Sequence, residues 1–380
     1  MADATCAGCG CVCDDIEAAV VDGRLTVTRT CELGDAWFAA RAEGPPATIG
    51  GDAASIDEAA DAAAAILRQA RAPLVYGLGG TSCEAQRQAV ALAEAIGAVV
   101  DPAGAGGSVL AFQAIGSSTA TFGEIRDRAE VIVVWRADPA ASNPRLLERL
   151  RADTRPLVVV DEQRTATAEQ ADAFIFLDAA REVEALWALR ALVAEAPLDR
   201  EHAQDLGDLS ERLRGARHVA FLHGALGELA ALALSSLVRD LSRERHAVTL
   251  ALRPDGNARG AEDVLAWQTG FPAAVSFARG YPRANPRELS AAELLERGEV
   301  DAALVIAADP PPGLRELPTI FVGATATAAA ARVAFATAAD GIEVAGTVHR
   351  MDGVPVPLRP PLAAERPSVE DVLSEIARRV

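Results

Sequence analysis

Short apolar runs recur along most of the chain. Each is bounded by turn-forming residues, and most are separated by longer stretches whose apolar positions repeat at helical spacing. The runs Pro73–Gly77, Ala98–Asp101, Val131–Trp135, Leu157–Asp161, Ala173–Leu177, His218–Leu222, Val248–Leu252, Ala302–Ala307 and Thr319–Val322 read as buried strands. Helices are expected over Ser55–Ala70, Cys83–Ile96, Asn143–Arg151, Arg181–Ala194, Leu226–Leu241 and Ala291–Arg297. In the first of these, Ser55 stands as N-cap, with Glu58 three residues on as a capping box. Buried strands alternating with helices predict an α/β fold with doubly wound parallel sheets. The first fifty residues differ. Ile16–Val21 and Arg24–Val27 flank Asp22-Gly23, a hairpin signal, and Gly44-Pro45-Pro46 closes the segment. Beyond about residue 330 come the turn Met351-Asp352-Gly353 and an amphipathic helix, Val369–Val380, opened by Ser368 with Asp371 three residues later. The expected organisation is a small Cys-rich β cap over 1–50, α/β domains over 51–180 and 181–330, and a C-terminal segment with its helix over 331–380.

Composition narrows the function classes. With 380 residues, half of them apolar, the chain has material for more than one core. Its net charge of −18, from 36 basic and 54 acidic side chains, repels phosphate backbones and anionic lipid. Neither nucleic acid nor a membrane is an expected partner. Ala-rich stretches such as Ala59–Leu67 are too short to span a bilayer. No basic segment followed by an apolar one marks a secretory signal, so the expected location is the reducing cytoplasm.

In that setting five of the six cysteines fall within the first 31 residues: Cys6, Cys9, Cys11, Cys13 and Cys31. Cys6, Cys9, Cys13 and Cys31 make the spacing C-x2-C-x3-C-x17-C, a thiolate quartet suited to a [4Fe–4S] cluster or a structural zinc. Small residues between them (Ala7, Gly8, Gly10) let backbone amides approach sulfur. The alternative is a set of reduced thiols without metal. Disulfides are disfavoured by the closeness of Cys9, Cys11 and Cys13.

Other candidates lie at the carboxyl ends of predicted strands, where α/β sheets place ligands. Gly79 and Gly80, in Gly77-Leu78-Gly79-Gly80-Thr81-Ser82, either receive an anion or serve close packing. Asp138 and Asp309, each in an Ala-Asp-Pro context, either cap the next helix or bind a ribose or pterin. Asp161 ends a strand in the manner of a nucleotide-discriminating residue, or simply starts a turn. His202, His218, His223, His246 and His349 are scattered, and no G-x-S-x-G elbow is present.

Longer runs carry a resemblance. Cys9-Gly10-Cys11-Val12-Cys13-Asp14-Asp15-Ile16, Cys31-Glu32-Leu33-Gly34, Cys83-Glu84-Ala85-Gln86, Ser108-Val109-Leu110-Ala111-Phe112-Gln113, Thr121-Phe122-Gly123-Glu124-Ile125, Gly270-Phe271-Pro272 and Gly346-Thr347-Val348-His349-Arg350-Met351-Asp352-Gly353-Val354-Pro355 resemble the B subunit of formylmethanofuran dehydrogenase. That protein belongs to the molybdopterin oxidoreductase superfamily. The resemblance implies a molybdopterin oxidoreductase type of fold, a [4Fe–4S] cluster on the cysteine quartet, and a molybdopterin guanine dinucleotide holding molybdenum or tungsten. The family's metal-binding cysteine falls here on Gly104 and the adjacent histidine on Ala105; a second family cysteine falls on Ala137. Glycine and alanine offer no donor, so the molybdopterin cofactor and the dehydrogenase activity are expected to be lost from this chain. The resemblance then favours the formyltransferase/hydrolase branch of one-carbon metabolism, with this chain a redox-inactive scaffold. Its implied partners are homologues of the A, C and D subunits, which handle a methanofuran-type cofactor. The alternatives are an active molybdenum or tungsten dehydrogenase subunit, and an unrelated α/β binding module with a zinc knot.

Overall fold

The computed structural model describes residues 2–21, 24–103, 106–198, 206–314, 316–324 and 331–380. The chain forms two compact units, residues 1–105 with 255–380 and residues 106–254. This replaces the consecutive division at 180. Strand–helix alternation does not mark which sheet a strand joins, and the second unit is inserted whole into the first.

The first unit opens with strands β1 (Ala2–Cys6), β2 (Cys13–Val21) and β3 (Arg24–Thr28), an antiparallel sheet in the order β1-β2-β3. The β2–β3 pair matches the expected hairpin, while its Asp22-Gly23 turn lies outside the described residues. The cap is not wholly β, because the helix Glu32–Ala39 follows. Next come β4 (Ala47–Ile49), β5 (Asp52–Ala54), β6 (Pro73–Gly77) and β7 (Val99–Asp101).

Residues 106–254 supply β8 (Val131–Trp135), β9 (Leu157–Asp161), β10 (Ala173–Phe176), β11 (His218–His223) and β12 (His246–Ala251). They form an all-parallel sheet in the order β10-β9-β8-β11-β12. Val133, Trp135, Val158, Val160 and Phe221 bury one face of it against the helices Glu182–Val193, Gly207–Gly215 and Glu228–Leu241. The helix expected over Asn143–Arg151 is instead two short turns, Pro139–Ser142 and Leu146–Arg149. Asn143 precedes Pro144, which disfavours helical backbone, and its amide donates to the Arg253 carbonyl at 3.0 Å.

Back in the first unit, the chain adds β13 (Val275–Ser276), β14 (Arg283–Ala284), β15 (Ala302–Ile306), β16 (Thr319–Gly323) and β17 (Val333–Ala336). The result is a nine-stranded sheet, β14-β13-β7-β6-β15-β16-β17-β4-β5, parallel through its centre and antiparallel at both flanks. Alternate residues serve opposite faces. Val75, Leu304 and Val322 meet the helices Ile56–Gln69, Cys83–Ile96, Ala258–Thr269 and Val369–Ala377, whereas Leu74, Val305 and Phe321 bury the other face. A two-stranded ribbon, β18 (Gly346–His349) with β19 (Pro355–Leu358), precedes the last helix.

Candidate functional site

The cysteine cap is held from several directions. Cys6 and Cys13 are paired across β1 and β2, Cys9 and Cys11 lie in the loop between, and Cys31 stands before the first residue of the helix Glu32–Ala39. Cys6, Cys9, Cys11 and Cys13 are buried and Cys31 is half-buried. Gly34 lets that helix approach Cys6, since a Cβ there would lie 3.2 Å from the Cys6 sulfur. Burial pushes the Cys6 thiol up to about 12; a Gly8 N–H directed at its sulfur from 3.5 Å opposes the shift, and Cys13, Cys9 and Cys31 add to it. The three thiols that act on Cys6 are thus the ones the spacing grouped with it. No disulfide joins the six cysteines. Among the described residues, no three His, Cys, Asp or Glu side chains converge as they stand on a point that a metal ion would fill.

The cap is seated on the rest of its own unit. Val12 packs with Val348, Val356 and Leu358 of the β18–β19 ribbon. Met351 N–H donates to the Gly10 carbonyl at 2.9 Å, and the Thr5 hydroxyl donates to the Pro357 carbonyl at 2.8 Å. Gly256 is glycine because any Cβ there would run into the backbone of Ala7. The Arg350–Asp352 ion pair, with contacts of 2.7 and 2.8 Å, braces the turn beyond.

In the first unit the order of strands reverses between the parallel neighbours β6 and β15: β7 lies on one side and β16 and β17 on the other. This is where a ligand crevice belongs, and Gly79, Gly80 and Asp309 border it. The glycine turn is consumed by its neighbours. A Cβ at Gly80 would meet the Ala307 carbonyl, and one at Gly79 would lie 3.0 Å from the Asp255 carboxylate. Leu78 N–H donates to Ile306, Thr81 N–H to Leu78 and Ser82 N–H to the Asp340 carboxylate. Those amides are therefore engaged within the chain. Asp309 is exposed, and it raises Tyr76 and Asp255, in each of which burial is the larger cause.

A buried Asn257 ties this turn to the cap's seat. Its backbone N–H donates to Gly79 at 2.8 Å, its amide donates to the Thr81 carbonyl at 2.7 Å, and its side-chain oxygen accepts from His349 N–H at 2.7 Å. Gln86 adds donations to the carbonyls of Leu78, Thr81 and Asn257. Burial pushes the adjacent Cys83 thiol up to about 11, against Asn257. His349 Nδ1 meets Asp263 at 2.7 Å; burial and these partners oppose one another, and the Asp263 carboxyl ends below its ordinary value. Sequence reading did not single out Asn257 or Asp340, which lie in none of the quoted runs. Gln86 and His349 lie in runs that carried the resemblance without an assigned role.

The second unit repeats the design between β8 and β11, where a Cβ at Gly224 would lie 2.6 Å from the Arg136 carbonyl. Asp138 makes no cap to its own helix; its Oδ1 accepts from Thr167 N–H at 3.0 Å and Thr167 Oγ1 at 2.5 Å. Asp161 accepts from Gln163 N–H at 3.1 Å, closing a turn. Ala137 follows β8, while Gly104 and Ala105 lie outside the described residues. Buried His223 ends β11, with Nδ1 2.8 Å from the Gly224 carbonyl. Both aspartates thus hold loops in place.

No family model matches the chain. The B subunit of the tungsten-containing formylmethanofuran dehydrogenase 2 of Methanocaldococcus jannaschii is 33% identical over 93% of this chain and 92% of its own length. The B subunit of the formyltransferase/hydrolase complex Fhc of Methylorubrum extorquens is 33% identical over 70% of this chain and 75% of that protein. Among solved structures, a chain of the M. extorquens formyltransferase/hydrolase complex, crystallised with methylofuran, superposes with a TM-score of 0.75 at 28% identity. The match covers 88% of this chain and 98% of that one. Acetylene hydratase from Pelobacter acetylenicus, at 14% identity and a TM-score of 0.60 over 99% of this chain and 69% of its own, shares the fold. The α/β class and the molybdopterin oxidoreductase type of fold expected from sequence are both met.

Proposed function

The chain belongs to the family of formylmethanofuran dehydrogenase B subunits, and on that premise we propose that it is the B subunit of a formyltransferase/hydrolase-type complex, a scaffold without redox turnover of its own. Position 104 carries the reading. Where the family binds molybdenum or tungsten through a cysteine, this chain has Gly104 followed by Ala105, and neither residue has a donor. Both branches of the family stand at 33% identity, so the weight falls on that residue. The crevice between β6 and β15 supports it. The amides of Leu78, Thr81 and Ser82 are engaged, and Asp255 and Asp309 present carboxylates where a dinucleotide would bring its phosphates. The residues present do not fit the molybdopterin dinucleotide.

Formyl transfer and hydrolysis would then fall to partner chains, homologues of the A, C and D subunits acting on a methanofuran-type cofactor in the cytoplasm. Cys6, Cys9, Cys13 and Cys31 would hold a [4Fe–4S] cluster or a structural zinc, supplying folding energy to the cap. A Gly8 N–H directed at Cys6 and three neighbouring thiols suit that role. Elemental analysis of the native complex tests the proposal. Molybdenum and tungsten should be absent, and Cys9→Ser should remove the iron or zinc and lower the thermal stability of the chain. Stoichiometric molybdenum or tungsten would overturn the scaffold reading in favour of a working dehydrogenase subunit.

A further inference from the structure

A shallow pocket in the second unit lies at the end of its sheet opposite the β8–β11 crevice. Glu124, Arg128, His218 and His246 line it. His218 and His246 are the first residues of β11 and β12 and sit directly opposite each other in the parallel register, so both rings leave the same face. Their ring centres are 5.5 Å apart. Glu124 projects from the helix Phe122–Arg128, and its Oε1 is 3.4 Å from His246 Nε2.

The Glu124–His246 separation is what a shared ion imposes. Ligand atoms about 2.0–2.2 Å from a tetrahedral ion lie roughly 3.4 Å from each other, and two imidazoles on one such ion set their ring centres roughly 5 Å apart. By contrast, 3.4 Å is long for a direct N–H···O hydrogen bond. The backbones beneath are anchored. His246 N–H donates to Arg217 at 2.7 Å, and Glu130 N–H donates to His218 at 2.9 Å. Thr121 Oγ1 caps Glu124 N–H at 3.2 Å.

We propose that His218, His246 and Glu124 form a divalent transition-metal site open to solvent. His246 and Glu124 already stand at ligand spacing, and a rotation of the His218 side chain within the open pocket supplies the third donor. Two imidazoles and a carboxylate select zinc, cobalt or nickel over magnesium or calcium. Arg128, now 3.7 Å from Glu124 and largely exposed, turns outward when the ion enters. The site is independent of the cysteine cap and of residue 104. His218 lies at the far end of a six-residue strand from the crevice-facing His223, roughly 16 Å away.

Cobalt(II) added to the full-length chain distinguishes this site from the thiols, because thiolate–cobalt charge-transfer bands are absent from a nitrogen–oxygen site. With the cysteine quartet already filled by iron or zinc, the expected result is one added cobalt per chain with visible d–d bands and no sulfur band. His218→Ala and His246→Ala should each weaken it at least tenfold, and Glu124→Gln should weaken it less. His246→Asn, which keeps a polar side chain at the strand start, checks the loss in a variant whose melting curve matches the native one. Cobalt bound only with a thiolate band, or bound equally well by both alanine variants, would overturn the proposal.

Discussion

His223 is a neutral imidazole locked at the end of β11. Burial is the main cause that lowers it from 6.5 to about 4; Arg253 pushes the same way, and the Gly224 carbonyl resists. Between those pH values the unfolded chain binds a proton that the folded chain refuses. Stability therefore falls as pH drops through that window, by about 2–3 kcal/mol at pH 4. His223→Gln, uncharged at every pH, should remove this part of the acid sensitivity. Urea unfolding of both proteins from pH 7 to pH 4 should show curves that diverge toward acid; a constant offset would refute the assignment. Single residues also show where sequence reading stopped. Asp138 and Asp161 were visible as strand-end carboxylates. Their partners, the Thr167 N–H and hydroxyl and the Gln163 N–H, are set by loop geometry, which no spacing records.

Elements with strong local signals were legible. Pro73–Gly77, Cys83–Ile96, Val131–Trp135 and Leu157–Asp161 form within the bounds that their apolar runs predict. Ser55 and Ser368 both close full capping boxes. The last helix, Val369–Ala377, buries Val369, Val372, Leu373 and Ile376 in the larger core of the first unit. Ser368→Ala should leave that burial intact and cost about 1 kcal/mol. A drop of a few degrees in Tm would register it, and an unchanged melt would mean that the cap contributes nothing once the helix is packed. The helix Ala258–Thr269 escaped notice for a physical reason. Its first turn contains Gly260, a poor helix former, because a Cβ there would strike the Asn257 side chain. That amide serves Thr81 and His349 and does not cap its own helix.

For the whole molecule, the α/β class was legible and the division into units was not. Residues 106–254 are continuous, with their own five-stranded sheet and core. Expressed alone, they should fold and unfold cooperatively in urea; a fragment without a cooperative transition would show that the unit depends on the remainder of the chain. Residues 1–105 have no such independence, since β6 pairs with β15 and β4 pairs with β17. The seat of the cysteine cap has a further consequence, in the order of synthesis. Ala7 rests on Gly256, Gly10 accepts from Met351, and Val12 packs on Val348, Val356 and Leu358. Ala7, Gly10 and Val12 must therefore wait for Gly256 and for the β18–β19 ribbon, made far later in the chain, before they can settle. Seating of the cap thus requires synthesis at least as far as Leu358.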